Sequence, residues 1–133
     1  MGIRIVRLGT PRAPGEGLRL GTVRRPPRGV PKRDFAKRDF YDRWLPELSP
    51  SAELVSWALV DDWTPARWRR FEQRYRSEMR EPAARHLIDV LAALSHQTNF
   101  SAGCYCEDES RCHRRVLRAL FVEAGADVVD GAS

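Results

Sequence analysis

The chain opens on an alternation. In "IRIVRL", residues 3 to 8, Ile3 and Ile5 flank Arg4, which is the period-two pattern of a strand with one face buried. "TPRAPGEG" interrupts it as a loop, and a second strand is expected in "LRLGTVR", with Leu18 and Leu20 on one face. The following "RRPPRGVPKRDFAKRDF" has three prolines and a glycine that rule out regular structure through residue 31.

From residue 50 the apolar positions take on helical spacing. "SPSAELVSWAL" offers Ser49 or Ser51 as N-cap and sets Leu54, Val55 and Trp57 or Ala58 on one side. "TPARWRRFEQRYRSEMR" has Thr64 as N-cap, Pro65 at the first helical position and Trp68, Phe71, Tyr75 and Met79 on one stripe, with its arginines mostly opposite. "PAARHLIDVLAALSH" repeats the device with Pro82, then Ala84, Leu87, Ile88, Leu91 and Leu94.

"NFSAGCYC" returns to period two, with Phe100, Ala102, Cys104 and Cys106 facing one way and Ser101, Gly103 and Tyr105 the other. After a short loop, Ser110 is expected to cap a last helix with Val116, Leu117, Leu120, Phe121 and Ala124 inside and Gly125 at its end, and "ADVV" to add a small edge strand. Strands at both ends with helices between them imply an α/β fold. The expectation is a Rossmann-like, three-layer arrangement: a small, mostly parallel sheet flanked by helices.

At 133 residues and 42% hydrophobic, the chain is expected to form a single domain over residues 1–133. No signal peptide and no membrane-spanning run is read, so no membrane partner is expected. Three cysteines crowded into nine positions do not make a secreted disulfide framework, and a reducing cytoplasm is the expected location. A net charge of +5 favours an anionic partner: a nucleotide, a phosphorylated metabolite or a nucleic acid. Seven of the basic residues fall between Arg24 and Asp39, against only Asp34 and Asp39.

The chemistry concentrates in "CYCEDESRCHRR". Strand ends that meet helix starts are where ligands gather in parallel α/β sheets, and the spacing puts Cys112 and His113 in the first helical turn. There, with Arg111, Arg114 and Arg115 nearby, a thiol's pKa falls and anions are attracted. A tetrahedral zinc site from Cys104, Cys106, Cys112 and His113 is disfavoured, because C-x-C-x5-C-H lacks the usual ligand spacing. Two thiols on one face of an extended strand also lie about 7 Å apart at Cα and would need a bent strand to share an ion. A Cys106–Cys112 redox pair lacks the C-x-x-C arrangement. The pairing of Cys112 with Arg118 at phosphatase-loop spacing falls in a helix without glycine, so it makes no cradle. No metal and no cofactor is therefore assigned. Cys104 is expected to pack in the core, and His86 and His96 to lie on the surface.

Beyond these local patterns the chain resembles the YeaO-like bacterial proteins, a domain-of-unknown-function family (DUF488). The likeness runs through "IRIVR", "PRGVPK", "WLPELSPSAELVSW", "WRRFEQRYRSEM" and "CYCEDESRCHRRVL". It implies a strand-end cysteine at Cys106, a Cys-His-Arg helix start at Cys112, His113 and Arg114, a basic loop motif at Arg24, Arg28 and Gly29, and a helix motif at Trp68, Phe71, Arg74 and Tyr75. Two positions depart from the family pattern: Val23 stands where an Asp is usual and Pro26 where a Trp is usual. If that Asp is a general base, the departure implies binding without catalysis.

Two functions follow as expectations. One is a pocket around Cys106–Arg114 for a phosphate-bearing or nucleotide-like small molecule. In it Cys106 or Cys112 is the nucleophile, His113 the base or orienting group, and Arg24, Arg28, Arg74, Tyr75 and Arg114 bind the ligand. The other is a nucleic-acid-binding module that uses the basic loop 24–38 and the arginine face of helix 65–80.

Overall fold

A computed structural model describes residues 1–129. Four strands, β1 (Ile3–Arg7), β2 (Leu18–Gly21), β3 (Arg43–Trp44) and β4 (Phe100–Cys104), form one all-parallel sheet in the order β1-β4-β2-β3. Four helices form, α1 (Ala52–Val60), α2 (Pro65–Met79), α3 (Pro82–Leu94) and α4 (His113–Glu123), and the first three start where the sequence places them. Ser51 and Thr64 accept from the backbone N–H three residues on, at 3.1 Å each, and Pro65 and Pro82 open their helices. The chain between β3 and β4 carries α1, α2 and α3 and crosses over β2, so β4 can enter parallel between β1 and β2.

All four helices share one hydrophobic core with one face of the sheet. Ile3, Ile5, Leu20, Phe100 and Ala102 from the strands pack in a single cluster with Leu54, Phe71, Tyr75, Ile88, Leu91, Leu117 and Phe121. The α/β class agrees with the sequence pattern. The layer on the opposite face, however, is irregular chain rather than helix. Residues 8–17 join β1 to β2 and are too few for a crossover helix, so they fold over the sheet as a loop. Gly21 admits part of this cover: a Cβ there would stand 2.3 Å from the Tyr41 ring.

The loop-covered face hides a charge where the alternation places a solvent-facing residue. Arg19 is fully buried, whereas Leu18, read as apolar-in, is half exposed. The Arg19 guanidinium donates to Glu16 at 2.8 and 3.1 Å and to the carbonyls of Thr10 and Asp39 at 2.9 and 2.7 Å. Glu16 in turn accepts from the Ser101 hydroxyl at 2.6 Å and the Ala13 N–H at 3.0 Å. Burial pushes the Glu16 carboxyl up, but the bonds from Arg19, Ser101 and Ala13 outweigh it and hold the group at about 2.

At the other end of the chain, "ADVV" makes a single bridge between Val128 and Ile3 rather than a full strand. Among the described residues no helix is long and apolar enough to cross a membrane.

Candidate functional site

The cysteine stretch folds differently from its alternation. β4 stops at Cys104, the chain bends at Tyr105, and Cys106 leaves the strand. A 3-10 turn at Glu109–Arg111 follows, capped by Asp108, whose carboxylate accepts from the Ser110 N–H at 2.9 Å and its hydroxyl at 2.6 Å. The cap of α4 is therefore Cys112, in extended conformation, and not Ser110. An ionised carboxylate two residues upstream takes both Ser110 donors, so the hydroxyl is spent on the turn before the helix begins.

The bend gathers the three thiols. The Sγ atoms of Cys104, Cys106 and Cys112 lie within 4.8 Å of one another, and Cys104 and Cys106 are 3.8 Å apart. The 7 Å separation held only for a strand running through residue 106. Arg114, itself buried, secures the bend by donating to the Cys106 carbonyl at 2.6 Å, while its Nε is buried without a partner. Cys104 and Cys112 are buried and Cys106 is exposed.

His113 stands behind the thiols. Its Nε2 donates to the Thr22 carbonyl at 2.8 Å, and its Nδ1 faces Cys112 Sγ at 3.7 Å. The Thr22 hydroxyl, 3.2 Å from the same Nε2, donates to the Gly103 carbonyl and so ties β2 to β4 at this point. Tyr75 meets the imidazole edge-on, with centroids 5.5 Å apart, and donates its hydroxyl to the Leu48 carbonyl at 2.7 Å.

The three thiols perturb one another in opposite directions. Hydrogen bonds from Cys104 and Cys106, with His113 beside it, pull the Cys112 thiol far below its ordinary range against the cost of burial. Cys104 moves the opposite way because it is the donor and is desolvated. Cys106 is helped by Cys104, but Cys112 and burial dominate and push it up to about 11. The positive end of α4 also favours the anion at Cys112. Chemically, this arrangement offers a buried thiol of lowered pKa beside an exposed thiol, or three sulfur ligands for one ion.

The remaining residues named from sequence scatter. Arg24 donates to the carbonyls of Pro50 and Ser49 at 3.1 and 3.4 Å, so it pins the loop to the approach of α1. Arg28 is exposed in the loop beside Gly29. Arg74 is also exposed, with its guanidinium 5.2 Å from the Trp57 ring centroid, whereas its neighbour Tyr75 points inward to His113. The structure thus brings together Cys106, Cys112, His113, Arg114 and Tyr75, and leaves Arg74 outside.

Sequence reasoning missed a cavity of about 640 Å³ beside this corner, between the basic loop and β3. It is lined by Lys32, Arg33, Phe35, Tyr41, Arg43 and Trp44 among others. Tyr41 belongs at once to this lining and to the cluster that packs Cys104 and Cys112. The interleaving of basic and aromatic residues in "KRDF" and "YDRW" was the available signal.

Fold and site together define a parallel α/β domain with a thiol–histidine corner at its strand ends. Residues 3–125 match the DUF488-N3a family, described as the active DUF488-N3 subclade, and the chain belongs to that family. No curated protein and no solved structure matches it.

Proposed function

We propose that the protein binds a phosphate-bearing, nucleotide-like small molecule in the cavity between the basic loop and β3, next to the thiol corner. The observation that carries this reading is the cavity's composition: three cations, Lys32, Arg33 and Arg43, and three rings, Phe35, Tyr41 and Trp44, share one space. Cations suit phosphate oxygens, and the exposed Trp44 ring suits a heterocycle. The volume falls in the usual range for small-molecule sites. Asp42, the acid in the lining, is neutralised by Arg12 at 2.7 Å. A reaction at this site would start at Cys106, the thiol that solvent reaches, with Cys112 and His113 behind it.

The nucleic-acid reading draws less support. Arg67 stacks on Trp57 at 4.2 Å, Arg74 lies over the same ring, and Arg76 pairs with Glu72 and Glu123, so three of the five arginines of α2 are engaged within the fold.

Calorimetric titration with adenosine monophosphate and, separately, with inorganic phosphate tests the proposal. Arg33→Ala should weaken both at least tenfold without moving the unfolding midpoint, and Trp44→Ala should weaken the nucleotide alone. No binding of the nucleotide at millimolar concentration, or equal binding by Arg33→Ala, would remove the reading.

A further inference from the structure

We infer that Cys104, Cys106 and Cys112 together hold one thiophilic metal ion of the zinc class. Tetrahedral zinc with Zn–S bonds of about 2.3 Å places its sulfurs about 3.8 Å apart. Cys104 and Cys106 already stand at 3.8 Å, and the third sulfur is within 4.8 Å of both, so closing the set needs only side-chain rotation. Burial points the same way. A nucleophile must be reached by its substrate, yet two of the three thiols are inside the protein; a ligand needs only to face the ion.

The surroundings match what a three-thiolate centre requires. Zinc(II) with three thiolates carries one net negative charge, and the buried Arg114 guanidinium, with a partnerless Nε, supplies a positive charge beside Cys106. His113 lies outside the ligand set: its Nε2 is held by Thr22 and its Nδ1 faces Cys112 Sγ, the place of a group that orients a ligand. Among the described residues no fourth Cys, His, Asp or Glu joins the group. The fourth position therefore goes to water or an exogenous ligand on the Cys106 side, as in zinc centres that act on substrates rather than merely brace a fold. The site is separate from the cavity of Lys32 and Arg33 and does not depend on a ligand there.

The test uses the full chain, reduced and stripped with a chelator, then titrated with cobalt(II) and displaced by zinc(II). The expected result is one ion per chain, with thiolate-to-cobalt charge transfer of three-sulfur intensity. Cys106→Ser, an exposed change that spares the core, should cut zinc affinity at least tenfold and lower that intensity. His113→Gln should keep the three-sulfur intensity while weakening affinity by about 10–100-fold, the usual effect of losing an outer partner. Failure of the folded, reduced protein to take up either ion would overturn the inference, as would wild-type affinity in Cys106→Ser. So would a Cys104–Cys106 disulfide in protein that takes no metal. Adenosine monophosphate binding by the chelator-stripped wild-type protein decides the first proposal and cobalt uptake by the same protein decides this one, so the two proposals fail separately.

Discussion

Two buried polar corners sit on the same pair of strands, β2 and β4, and they differ in how completely they are satisfied. On the loop-covered face, Arg19, Glu16 and Ser101 form a closed network: four guanidinium hydrogen bonds and two further donors to the carboxylate. At the strand ends, Cys104 meets Cys106 at 3.8 Å, Cys112 meets His113 at 3.7 Å and lies within 4.8 Å of both other thiols, and Arg114 Nε has no partner. A closed network has no capacity left for a ligand, so its role is to hold residues 8–17 on the sheet. The open corner retains unsatisfied donors and polarisable sulfur, and that residual capacity is what a binding site needs.

The comparison breaks most visibly at Arg19. Arg19→Ala leaves Glu16 buried as an unpaired charge and is expected to cost about 3–5 kcal/mol in urea unfolding. A loss below about 1 kcal/mol would mean that the network opens to water and is not the closed structure described.

Next in size is the acid response. The Glu16 carboxyl sits at about 2 in the fold against 4.5 unperturbed. A depressed carboxyl contributes stability that is fully present above the unfolded value and is lost as pH falls through the folded one. The window is therefore roughly pH 4.5 down to 2, with a contribution on the order of 3 kcal/mol at neutral pH. Unfolding free energies of wild type and Glu16→Gln should converge across that window. Parallel curves would place the acid sensitivity elsewhere.

The smallest effect belongs to the open corner. Cys106→Ser is expected to change stability by no more than about 0.5 kcal/mol, as for other surface substitutions. In the metal-free protein Cys106 should also be the first thiol alkylated by iodoacetamide, at a rate that climbs with pH towards its pKa of about 11. Cys104 and Cys112 should react only on unfolding. Mass mapping that finds Cys112 modified first would reverse the assignment of inside and outside.

Much of this fold could be read along the chain, because its signals are local. Thr64 and Pro65 start α2, and Trp68, Phe71, Tyr75 and Met79 turn one face of it to the core, all within a window where helical period and cap chemistry agree. Ile3, Ile5, Phe100 and Ala102 likewise follow strand alternation. The order of strands, the burial of Arg19 and the meeting of the thiols were decided by tertiary structure. Arg19 can be inside only because Glu16, itself held by Ser101, and the carbonyls of Thr10 and Asp39 converge on it. Cys104 and Cys106 come together only because the chain bends at Tyr105 under the hold of Arg114, which no period-two pattern contains. Periodicity reports what each residue prefers against its neighbours in sequence. The chemistry of this protein depends on which residues become neighbours in space.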